Sequence, residues 1–96
     1  MPSALTPDQA RRLLEHGGLV VDVRSTQEYA AGHGPNSLNL PLHLLAVLAA
    51  ERLPKDRPLL VCCESGARSA MAVQYLQPQG YDAHDLGPWY FHPDLA

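Results

Sequence analysis

The chain has 96 residues, of which 46% are apolar and 18% charged, a balance that suits one hydrophobic core and a single domain over residues 1–96. Disordered, collagen-like, coiled-coil and membrane-spanning classes are excluded on those figures. A formal net charge of -3 without any basic block likewise excludes a nucleic-acid face.

Met1 to Gly18 shows neither the basic start nor the long apolar run of a secretory signal or anchor, so a cytoplasmic location with no membrane partner is expected. Thr6-Pro7-Asp8-Gln9 is a capping box with proline at the first helical position, and Ala10, Leu13 and Leu14 carry a helix to about Glu15. After His16-Gly17-Gly18, the run Leu19-Val20-Val21-Asp22-Val23 reads as a buried parallel strand. Ser25-Thr26-Gln27-Glu28 starts a second, two-turn helix, for which Gly32 is the expected left-handed stop.

Leu38-Asn39-Leu40 is a short extended piece between Pro35 and Pro41, and Leu44, Leu45 and Leu48 give helical spacing to about Arg52. Leu59 to Cys62 is the second apolar strand. Ala70, Val73 and Leu76 then mark a helix that Pro78 and Gly80 end, Tyr81 to Leu86 reads as a last strand, and Gly87-Pro88 as a turn. Strands alternating with helices over short loops predict an α/β domain with a parallel sheet covered on both faces.

In such sheets ligands gather at the carboxyl ends of strands, where the unpaired amides of a following helix point outward. Cys63 stands at such an end, opening the loop Cys63-Glu64-Ser65-Gly66-Ala67-Arg68. Gly66 lets the backbone curl and Ser65 is small, so a ring of N–H groups around the sulfur is expected. That ring, the helix N-terminus and the Arg68 cation all favour thiolate, making Cys63 a nucleophile near neutral pH. No histidine or second acid stands at a spacing that demands a triad, so the loop itself must stabilise the anion. The adjacent Cys62 belongs to the strand and faces the other way, where core packing is expected and a resolving thiol is the alternative. Neighbouring cysteines cannot close an ordinary disulfide, and both read as free thiols of a reducing compartment. The remaining histidines, His16, His43, His84 and His92, lack metal-ligand spacing, and no metal site is expected.

Three blocks in order resemble the rhodanese, or thiosulfate sulfurtransferase, domain: Val21-Asp22-Val23-Arg24 with Glu28-Tyr29, then Gly32 to Pro41, then Cys63 to Ser69. The resemblance runs from about Thr6 to Trp89. It implies a five-stranded, mostly parallel sheet with helices on both faces. It also implies a sulfurtransferase that moves sulfane sulfur from thiosulfate or another persulfide donor, through a Cys63 persulfide, to cyanide or a thiol. Glu64, Ser65, Gly66, Ala67, Arg68 and Ser69 would bind substrate, and no cofactor is called for. Asp22, Arg24, Glu28 and His33 would support the loop without reacting in it. Arg68 is read equally as a sulfonate contact or as a brace to a carboxylate such as Asp22. The partners implied are small sulfur compounds and a protein thiol or persulfide, with the chain a monomer. A noncatalytic sulfur-delivery module is the alternative; a cysteine phosphatase or arsenate reductase, whose loop is one residue longer, is disfavoured. Two departures from the family pattern stand out. Gly34 replaces a branched apolar residue, which would leave its loop without an anchor in the core, and Glu64 puts a negative charge beside the nucleophile, which should repel thiosulfate.

Overall fold

In the computed structural model, which describes residues 4–92 and 94, four parallel strands form one sheet in the order β2-β1-β3-β4. They are β1 (Leu19–Asp22), β2 (Leu38–Asn39), β3 (Leu59–Cys63) and β4 (Ala83–Pro88). The two central strands are the two apolar runs that the sequence marks as buried strands. β1 pairs with β3 from Leu19 opposite Leu59 to Asp22 opposite Cys62.

Four helices cover the sheet: α1 (Pro7–Glu15), α2 (Thr26–Ala31), α3 (Leu45–Arg52) and α4 (Ala67–Leu76). Thr6 and Ser25 each accept the amide three residues on, while Gln9 and Glu28 bond back to the cap amides, so both capping boxes close. The sheet's two-residue alternation then divides the core. Leu59, Val61 and Cys63 pack with Leu45 and Ala49 of α3 and Ala72, Val73 and Leu76 of α4; Leu60 and Cys62 pack with Ala10, Leu13 and Leu14 of α1 and with Leu86.

Several details depart from the sequence reading. No fifth strand forms among the described residues. A single backbone bond runs alongside β4, from the Leu5 amide to the Asp85 carbonyl at 2.7 Å, and it does not extend into a ladder because Thr6 already caps α1. Gly32 is not a left-handed stop: its backbone, at φ 160° and ψ 138°, is extended, and its carbonyl accepts a hydrogen bond from Arg24 instead. Pro78 does not end the last helix abruptly but sits in a 3-10 turn over Gln77–Gln79, after which Gly80, at φ +94°, supplies the left-handed turn.

The last strand begins two residues later than expected and absorbs Gly87 and Pro88. A β-bulge allows this, because Val61 faces Asp85 while Cys62 already faces Gly87, leaving Leu86 as the extra residue. Gly87 takes φ +85°, a conformation that favours glycine. The loop at Gly34 is also anchored after all, from outside. The buried ring of His92 occupies the space a side chain would need, within 2.7 Å of where a Cβ on Gly34 would lie.

Candidate active site

β3 ends at Cys63 and α4 starts at Ala67, so the loop between them must reverse the chain in three residues. Gly66 does this at φ +96° as the N-cap of α4. The curl brings the Gly66 amide to 3.0 Å and the Ser69 amide to 3.3 Å from Cys63 Sγ, both donating to the sulfur. Two amides converge there, where the sequence had suggested a fuller ring; the Ala67 amide turns instead to Ser65 Oγ at 3.5 Å. Cys63 itself is fully buried, at 0% exposure. Glu64 and Ser65 are exposed above it, and Arg68 is partly so.

A third group reaches the sulfur: Cys63 Sγ donates to Ser69 Oγ across 3.6 Å. The Ser69 hydroxyl in turn has two acceptors, Asp85 Oδ1 at 2.8 Å and the Gly66 carbonyl at 3.0 Å. Asp85 Oδ1 also accepts the Gly87 amide at 2.9 Å. An acid therefore does stand behind the cysteine, one hydroxyl away, contrary to the reading from spacing. Its alternation with the buried Ala83 along the last strand is the sequence signal that places it on the Cys63 face.

The supporting polar residues form two ion pairs. Asp22 and Arg24, at 0% and 3% exposure, make a buried pair: the Arg24 backbone amide and Nε donate to Asp22 Oδ1 at 3.0 Å each, and one terminal nitrogen to Oδ2 at 2.8 Å. Burial alone would favour a neutral guanidinium, but the hydrogen bonds and charge of Asp22 outweigh it and hold the Arg24 pKa above its ordinary value. With Asp22 so engaged, it is not the brace for Arg68. That carboxylate is Glu28, which takes both terminal nitrogens of Arg68 at 2.7 and 2.9 Å. These bonds, with the Ser25 amide, pull the Glu28 carboxyl down to about 2. Because the folded value lies below the ordinary 4.5, the pair's stabilisation is complete above about 4.5 and is lost as pH falls toward 2. Urea midpoints of the protein and of Glu28→Gln should therefore differ at neutral pH and converge on acidification; a constant gap across that range would refute this.

Glu64 does not project freely into solvent. Its carboxylate accepts the Trp89 indole N–H at 3.2 Å and lies 3.8 Å from an Arg24 nitrogen, while the Arg24 guanidinium stacks 4.6 Å from the Trp89 ring centre. This cluster ties the loop to the end of β4, and no local pattern announces it because its members lie 25 to 65 residues apart. Tyr90 and Phe91, by contrast, are exposed. His33 stacks on Tyr29, ring centres 3.7 Å apart, and bonds the Tyr29 carbonyl at 2.7 Å. Tyr29 reaches on to the Ser37 carbonyl at 2.6 Å, so these residues fix the connection from α2 to β2. Cys62, on the opposite face, is packed among apolar side chains; burial, and then the charge of Asp22, pushes its thiol far above the ordinary value. No helix among the described residues is long and apolar enough to cross a membrane.

The rhodanese-like domain model matches residues 6–87, a span that includes the cysteine loop and both ion pairs. The chain belongs to the rhodanese-like domain family. It is 48% identical over 63 residues to a sulfurtransferase of Allochromatium vinosum, a match covering 66% of this chain and 58% of that relative's length. It is 39% identical over 77 residues to the thiosulfate sulfurtransferase GlpE of Pseudomonas savastanoi pv. phaseolicola, covering 80% of this chain and 72% of GlpE. Among solved structures it is similar to the human single-domain sulfurtransferase TSTD1, with a TM-score of 0.74, 28% identity, and coverage of 93% and 92% of the two chains. With these sulfurtransferases as its relatives over most of its length, the chain stands in the sulfurtransferase class of enzymes.

Proposed function

We propose that this rhodanese-like protein transfers sulfane sulfur from thiosulfate through a persulfide on Cys63. The observation that carries the reading is the convergence of the Gly66 and Ser69 amides on one sulfur at the start of a helix. Donors held in place by the backbone stabilise an anionic sulfur without reorganising. The Cys63 thiolate attacks the outer sulfur of thiosulfate; the new S–S bond forms as the old one breaks, and sulfite leaves with the electron pair. The persulfide anion then gives its outer sulfur to cyanide or a thiol, which regenerates the thiolate. No metal or organic cofactor enters either step.

Glu64 and Arg68 line two cavities that flank the loop. One, of about 290 Å³, is bounded by Val23, Ser25, Pro41, Leu42, His43 and Arg68; the other, of about 240 Å³, includes Arg24, Glu28, Glu64 and Trp89. On the first side Arg68, steadied by Glu28, presents positive charge to an anionic donor. Glu64 opposes that attraction, and Glu64→Gln, which can still accept the Trp89 N–H, should raise the second-order rate with thiosulfate by about threefold to tenfold at low salt, the gain shrinking as salt is added. Stopped-flow rates at two ionic strengths test this, and equal rates for both proteins would remove Glu64 as a selector.

A second reading, delivery of sulfur from a protein persulfide with little thiosulfate turnover, draws on the full burial of Cys63 and the carboxylate of Glu64 beside it. Intact mass after incubation with thiosulfate separates the two. A gain of one sulfur atom, followed by thiocyanate release on adding cyanide, supports the enzyme; uptake only from a persulfidated protein supports delivery. Both free thiols fit a reducing compartment, and we place the protein in the cytoplasm.

A further inference from the structure

We infer that Asp85 is a positioning residue for the nucleophile, taking up the Cys63 proton through the Ser69 hydroxyl and passing it out on the far side of the loop. The inference rests on Cys63 being the nucleophile of the proposed transfer. Cys63 and Ser69 are both fully buried, so the thiol proton needs an acceptor within the protein. The two amides on the sulfur are donors only. Arg68 is a cation engaged with Glu28 and cannot accept.

That leaves Ser69 Oγ, to which the sulfur donates. A hydroxyl can accept one proton only as it releases its own. Of its two acceptors, the Asp85 carboxylate is the nearer, at 2.8 against 3.0 Å for the Gly66 carbonyl, and it is the charged one. The proton on Sγ moves to Ser69 Oγ as the Ser69 proton moves to Asp85 Oδ1, and the electron pair of the S–H bond stays on the sulfur that attacks. The bulge at Leu86 and the Gly87 amide, which donates to the same Oδ1, hold the carboxylate in line.

The path has an exit. Asp85 is only partly buried and lines a cavity of about 150 Å³ with Leu5, Ala70, Gln74, Gln77 and His84. Among the described residues, the titratable groups that face Asp85 are Cys63 through Ser69, Cys62 behind the strand and His84 at the cavity. Arg24, Arg68, Glu28 and Glu64 lie at the loop mouth.

The test is the rate of iodoacetamide labelling of Cys63, assigned by fragment-ion mass, from about pH 5 to about pH 9 in the protein, Asp85→Asn and Ser69→Ala. Asparagine keeps an oxygen for Ser69 and Gly87 but cannot take the proton. Both variants should label about tenfold more slowly near pH 6 and rejoin the native protein once the thiol ionises unaided. An unchanged profile in Asp85→Asn would overturn the inference. So would faster labelling near pH 6, since removing a negative charge alone favours thiolate, and so would a native Cys63 that does not label at all. If Asp85→Asn proves unstable, Ser69→Ala decides the matter by the same criterion. Normal labelling without sulfur uptake from any donor would instead defeat the transferase reading.

Discussion

Cys63→Ser should abolish sulfur uptake from thiosulfate, lowering turnover by at least about a thousandfold, because a serine hydroxyl neither ionises near neutral pH nor holds a second sulfur. The variant should fold, since a serine oxygen can accept the Gly66 and Ser69 amides that now bond the sulfur. Cys62→Ser is the control. It places a hydroxyl among Leu60, Leu86 and the leucines of α1, costing about 1–3 kcal/mol of stability, but it leaves the cradle intact and should retain turnover. Intact mass and thiocyanate release read both outcomes. Turnover that survives in Cys63→Ser, or vanishes in a folded Cys62→Ser, would defeat the assignment.

The largest effect on stability is expected at the buried ion pair. Arg24→Met keeps the aliphatic stem but strands the Asp22 carboxylate at 0% exposure. Breaking one partner of such a pair costs about 3–5 kcal/mol, against a total of about 5–15 kcal/mol for a domain of ordinary stability. The same change removes the Arg24 bond to the Gly32 carbonyl and the stack on Trp89. It should therefore loosen the α2 end and the rim together. Urea denaturation followed by circular dichroism and by Trp89 fluorescence would show a large shift in midpoint. A shift under about 1 kcal/mol would mean the pair is not holding this corner.

What was legible in the chain was what neighbours in sequence decide. Thr6 with Gln9 and Ser25 with Glu28 set two helix starts; the apolar runs at Leu19 and Leu59 set the two central strands; Gly66 marked the loop. The hidden part depended on partners brought together by the sheet. Arg68 could have met Asp22 or Glu28 from spacing alone, and Asp22 was excluded only by Arg24 folding back on it. The bulge that follows Asp85, invisible in the pattern Ala83 to Pro88, carried the strand two residues further than its glycine and proline suggested. His92 filled the gap at Gly34 from 58 positions away. The fifth strand that the resemblance implies is absent among the described residues, and the Leu5 bond to Asp85 stays single because the capping box starts the helix immediately afterwards.

The two thiols differ by one peptide bond, yet one is lodged in hydrocarbon against the first helix and the other under backbone N–H groups at the start of the fourth. Only the parity of β3 separates these fates. A slip of that strand by a single residue would trade them, placing Cys62 under the backbone N–H groups and Cys63 in hydrocarbon. The pairing of Leu59 with Leu19 and with Ala83, which fixes the frame of the strand, thus selects which sulfur meets the loop amides, at a distance of four residues from the atom it chooses.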